Sequence, residues 1–97
     1  MRYELTLAPE AVDDLKHISA SERSTIRDAM EIHLRHEPKR VSRSRIKRLR
    51  GVRRPEYRLL VGEFRVFYDV KESEVEVLAI VPKSRASEWL ERYGEEE

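Results

Sequence analysis

Residues 2–7 alternate, with Tyr3, Leu5 and Leu7 on one face and Arg2, Glu4 and Thr6 on the other. A period of two predicts a half-buried strand. From Pro9 the apolar spacing lengthens to Val12, Leu15 and Ile18, and proline suits the first turn of a helix, so a helix is predicted here. The run Ser19-Ala20-Ser21 predicts a short turn, with Ser21 as the N-cap of a second helix. In that helix Ile26, Met30, His33 and Leu34 recur at i, i+4, i+7 and i+8, and Ala29 joins them. Pro38 ends it near His36. So short a connection predicts an antiparallel helical hairpin.

Ile46, Leu49 and Val52 follow at a spacing of three until Gly51 interrupts them, which leaves this stretch as a loop or a helix face. Three strands are predicted next, over 56–61, 63–71 and 74–81. A last helix over 84–94 would place Ala86, Trp89, Leu90 and Tyr93 on one side. Residues 95–97 are expected to fray as solvated acids, and Asp13-Asp14 to be solvated as well. With no internal repeat or low-complexity linker, residues 1–97 form one domain. The fold class is α+β in the order βααβββα. An N-terminal strand and a helical hairpin are followed by a three-stranded antiparallel meander that completes the sheet, then by a C-terminal helix.

The stretch YRLLVGEFRVFYDV over 57–70 sets one arginine inside each of two apolar runs. Gly62-Glu63 suits the centre of a type II′ turn, where glycine supplies the positive φ. Val61 then faces Phe64, Leu60 faces Arg65, Leu59 faces Val66, Arg58 faces Phe67 and Tyr57 faces Tyr68. One side of the hairpin becomes Tyr57, Leu59, Val61, Phe64, Val66 and Tyr68. The other carries Arg58, Leu60, Arg65 and Phe67, so both arginines share a face. A one-residue slip would drive an arginine among the aromatics. If Glu72-Ser73 makes the next turn, Leu78 and Ile80 join the arginine face. Two readings of that face stand. Either the arginines are solvated and their stems cover Leu60 and Phe67, or an anion sits between two like charges that otherwise repel.

Charge sharpens the second reading. The formal net charge of the 97 residues is only +1, yet residues 39–58 hold ten of the twenty Lys and Arg against one acid, Glu56. That window carries +9 and the remainder −8. Such a block is the footprint of a polyanion or of an acidic protein partner. The absence of cysteine excludes a disulfide framework and thiolate chemistry. No apolar run reaches membrane-spanning length and no signal-like h-region is present, which fits a cytoplasmic protein. His17, His33 and His36 suggest a metal by count, but only His33 and His36 share a helix turn and no third ligand is evident. No metal or other cofactor is expected.

The pattern Leu49-Arg50-Gly51, then Tyr57-Arg58, then Gly62-x-x-Arg65-x-x-Tyr68, resembles the RelE/ParE superfamily of toxins from type II toxin–antitoxin pairs. The likeness extends over nearly the whole chain in element order. It implies a toxin that enters the ribosomal A site and cleaves mRNA as a metal-independent endoribonuclease, or, on the ParE-like side, one that poisons DNA gyrase. A third possibility is a catalytically inactive relative that only binds its antitoxin. The resemblance also implies an acidic cognate antitoxin as partner, with operator DNA reached only through that complex. Arg65 maps onto the family's conserved strand arginine and Arg58 onto a basic strand position, both suited to a scissile phosphate. Lys83 and Arg85 are the catalytic candidates near the C-terminus. Lys47, Arg48, Arg50, Arg53 and Arg54 are the candidates for RNA docking. The sequence departs from RelE at Leu60, where a lysine is expected, and in having no well-placed C-terminal tyrosine. Trp89 would fill the aromatic's place, though an indole cannot act as a general acid. The base is left open between Lys47, a neighbouring lysine and Glu56.

Overall fold

The computed structural model describes residues 1–97 and arranges them as an α+β domain with one five-stranded sheet. Strand β1 (Glu4–Leu7) is followed by helices α1 (Pro9–Lys16) and α2 (Ala20–Leu34). Then come β2 (Ile46–Arg48), β3 (Val52–Arg54), β4 (Tyr57–Val61), β5 (Phe64–Lys71) and β6 (Glu74–Pro82). A single 3₁₀ turn, Lys83–Arg85, leads into α3 (Ala86–Tyr93), and Glu95–Glu96 form a short β7. The sheet order is β1-β6-β5-β4-β2, while β3 and β7 pair apart from it. The predicted element order is present, and three short strands are added to it. The basic segment is therefore not a helix face but a loop punctuated by two three-residue strands. Its Ile46 is buried as the cross-strand partner of Leu59.

The β4–β5 hairpin has all five predicted pairs, from Tyr57 opposite Tyr68 to Val61 opposite Phe64. Gly62 carries φ +54° at the turn. The β5–β6 pairing begins as expected at Lys71 opposite Glu74, then slips at a bulge between Tyr68 and Phe67. Tyr68 pairs with Val77 and Phe67 with Ala79, so Leu78 is the extra residue. This corrects the expected face. Beyond the bulge Ile80 lies opposite Val66 and joins the main core, while Ala79 and Val81 take the places foreseen for Leu78 and Ile80.

Two cores follow. The larger lies on the helical-hairpin side and gathers Ala11, Leu15, Ile26, Met30 and Leu34 against Leu59, Val66, Tyr68 and Val77. Tyr68 donates its hydroxyl to the carbonyl of Pro38 at 2.7 Å, so this buried polar tip is satisfied and ties down the chain after α2. The smaller core holds Phe67, Ala79, Val81 and Ala86, with Leu49, Trp89 and Leu90 packed on it. Capping also differs from expectation. Ser19, not Ser21, caps α2, through a reciprocal box in which the Ser19 hydroxyl accepts from the Glu22 N–H and Glu22 accepts from the Ser19 N–H.

Candidate functional site

Side chains alternate along β4 and β5, so Arg58, Leu60, Arg65, Phe67 and Asp69 share the face that looks away from the helical hairpin. On β2, Lys47 is the cross-strand partner of Arg58 and comes to the same face. Arg45 extends the row: its carbonyl accepts from the Leu60 N–H at 2.9 Å and its guanidinium donates to the Leu60 carbonyl at 3.3 Å. Arg45 was not singled out by sequence. Its place one pairing step beyond Ile46 and Leu59 follows only once β2 is known to be a strand.

Neither central arginine is solvated decoration. Arg65 is only 8% exposed, and its guanidinium donates to the carbonyls of Gly62 at 3.0 Å and Phe64 at 2.9 Å. Those bonds hold one edge of the fork and fix its plane. Arg58 is half-buried, and its Nε is enclosed with no hydrogen-bond partner. Burial and then the neighbouring Arg65 charge lower the Arg58 guanidinium from its usual pKa. An unpaired buried donor costs free energy, as do two like charges at close range. Both costs fall when an anion binds. The face therefore holds two close guanidinium groups, one fixed by backbone carbonyls and one with an unpartnered Nε.

The remaining predicted residues divide. Lys83 donates its backbone N–H to the Glu63 carbonyl at 2.7 Å, which docks the 3₁₀ turn against the β4–β5 turn near Arg65. Arg85 is not with them. It lines a groove of about 850 Å³ together with Glu10, Asp14, Leu78 and Trp89. Arg48 lies over the Tyr57 ring at 5.4 Å and donates to the carbonyls of Leu49 and Glu56. Arg50 is exposed. Arg53 pairs with Glu95 at 3.0 Å. Arg54 is committed to Asp69 at 2.9 Å and Glu76 at 3.0 Å.

Carboxylates that could move protons are also engaged. Glu56 accepts from the Val70 N–H at 2.9 Å, and Asp69 accepts from the Glu56 N–H at 2.8 Å. Burial raises the Asp69 pKa above the usual carboxylate value, partly offset by that N–H and by Arg54. The two acids clamp the open end of the hairpin. Asp14, expected to be solvated, is instead half-buried and accepts from the Ile80 N–H at 2.8 Å. Trp89 stacks on Phe67 with ring centroids 4.8 Å apart, so it roofs the small core. His33 is partly buried, and burial, then Arg45, lowers its pKa.

A family model described as the ParE toxin of type II toxin–antitoxin systems matches residues 5–87. The chain belongs to this toxin family. No curated protein matches it. Among solved structures it resembles the archaeal RelE–RelB complex of Pyrococcus horikoshii, with a TM-score of 0.71, 23% identity and coverage of 88% of this chain and 99% of that one. A mutant of E. coli RelE in the free state gives 0.67, 19% identity, and coverage of 96% and 99%. The chromosomal ParDE system of P. aeruginosa gives 0.57, 18% identity, and coverage of 84% and 96%. These likenesses establish the RelE/ParE fold for this toxin. They span both branches of the superfamily.

Proposed function

We propose that this toxin is an endoribonuclease that cleaves mRNA in the ribosomal A site, with the Arg58–Arg65 pair holding the scissile phosphate. The observation that carries this reading is the enclosed, unpartnered Nε of Arg58 beside the fixed fork of Arg65. In the reaction the 2′-oxygen attacks the adjacent phosphorus and the bond from phosphorus to the 5′-oxygen breaks. The products are a 2′,3′-cyclic phosphate and a free 5′-hydroxyl, once the 2′-proton has left and a proton has reached the 5′-oxygen. Negative charge on the phosphorane is what a pair of guanidinium groups stabilises. Glu56 and Asp69 are held by backbone N–H groups, so Lys47, the cross-strand partner of Arg58, and Lys83, docked at the hairpin turn, are the candidate proton carriers. Arg45, Lys47, Arg48, Arg50 and Arg53 form the RNA-docking surface, and Arg54 supports it from within. An acidic antitoxin neutralises the toxin, in line with the antitoxin complexes of its relatives.

A second reading, a gyrase poison without nuclease activity, is favoured by the ParE description of the family model and by the engaged carboxylates. Primer extension on mRNA from cells induced for the wild type or for Arg65→Ala separates the two. In-frame, translation-dependent ends that vanish in the variant are the expected result. Intact mRNA with accumulating gyrase–DNA breaks would sink the nuclease reading.

A further inference from the structure

Of the three acids expected to fray, two are placed in a strand. Glu95 and Glu96 form β7 and pair with β3, Glu95 opposite Arg54 and Glu96 opposite Val52. The Glu95 carboxylate reaches Arg53 Nη2 at 3.0 Å and lines a hollow of about 300 Å³ with Arg53, Arg54 and Lys71. The path onto β3 depends on Gly94. A Cβ there would lie 2.5 Å from the Leu90 carbonyl oxygen, so any larger residue forces the turn between α3 and β7 to shift. A carboxylate carried on a two-residue strand is thus steered onto one cation of the basic track.

We propose that Glu95 is a built-in phosphate mimic, which masks Arg53 until an RNA phosphate displaces it. This rests on the reading that the basic track docks RNA. Three features support it. Arg53 has a single anionic partner, whereas Arg54 is held by two carboxylates, one of them buried, and so remains structural. The Arg53–Glu95 pair is exposed, with side-chain exposures of 71% and 51%, so it is weak enough to exchange. Arg53 follows Lys47, Arg48 and Arg50 in sequence and is exposed on β3, so freeing it offers one more cation for a phosphate contact.

The test is binding of a fluorescein-labelled single-stranded RNA 12-mer, non-cleavable through 2′-O-methylation, across a KCl series, with the full chain. Glu95→Gln should bind about two- to fivefold more tightly than the wild type at low salt. Its slope of log K against log salt should steepen by about 0.7, the signature of one more neutralised phosphate on a single strand. Glu97→Gln removes the same charge without a partner on β3 and should change affinity less. Gly94→Ala keeps all three acids but displaces them, and should reproduce the Glu95→Gln effect. Adding Arg53→Gln to Glu95→Gln should abolish the gain. Equal effects of Glu95→Gln and Glu97→Gln, or a gain that survives Arg53→Gln, would overturn the mask while leaving RNA docking intact. Absence of RNA binding by the wild type at low salt would overturn both.

Discussion

The two faces of the β4–β5 hairpin are built from the same fourteen residues of sequence and behave oppositely. On the helical-hairpin side, Leu59, Val66 and Tyr68 are fully buried within a thirteen-residue core, and the buried phenol has its acceptor. On the other side only Phe67, Ala79, Val81 and Ala86 make a core, and beside it stand two arginines, one with an enclosed donor unmet. One face stabilises. The other keeps two like charges close together and leaves one buried donor unpartnered, which costs stability.

The contrast predicts that equal truncations on the two faces have unequal consequences. Leu59→Ala on the stabilising face should cost about 2–5 kcal/mol. At roughly 4–8 °C per kcal/mol for a domain this size, its melting temperature should fall by on the order of 10 °C or more. A shift of a degree or two in calorimetry would contradict the assignment of Leu59 to the main core. Arg58→Ala on the other face should leave the melting temperature unchanged or raised, because it removes an unmet donor and a like charge. On the proposed nuclease reading, cleavage should nonetheless drop by on the order of 10²–10³. A variant that melts early with activity retained would reverse the roles assigned to the two faces.

A smaller effect tests the groove side of the sheet. Burial is the leading cause that raises the Asp14 pKa from 3.8, against the opposing Ile80 hydrogen bond. A raised carboxylate pKa means that the folded state binds the proton more tightly than the unfolded chain. Its ionisation penalty is therefore fully present above the folded pKa and is relieved as pH falls through that value toward the unfolded one. Asp14→Asn keeps an oxygen for the Ile80 N–H and removes the charge. The variant should be slightly more stable than the wild type at pH 7, and the difference should shrink as pH falls toward 4. Melting curves at several pH values check this. A gap that widens on acidification would show that Asp14 is held as a stabilised anion instead.

Alternation alone located the hairpin, its glycine turn and the shared face of Arg58 and Arg65, because the pleat leaves one register that keeps charge out of the aromatic side. The α2 cap was expected at Ser21, yet the box Ser19-x-x-Glu22 that the structure uses was legible. The bulge at Leu78 was not. The alternation of GluValGluVal ends at Leu78, but the apolar run that follows does not say whether a residue is added, and the slip is chosen by what packs on each face. The short strands β2, β3 and β7 were illegible for a related reason. Two or three residues carry no period, and only the partner strand gives them a face.

Candidate-site residues divided along the same line. Which arginines sit on a strand face follows from local chemistry, since steric alternation and the cost of burying charge act between neighbours in sequence. Which of the basic residues stay available depends on distant acids. Asp69 and Glu76 take Arg54, and Glu95 takes Arg53. Order within the chain determined the fold, the hairpin register and the basic track. Tertiary structure alone decided which charges are paired and which are left to meet an anion, because ion pairs and enclosed donors are settled by contacts between residues far apart in the chain.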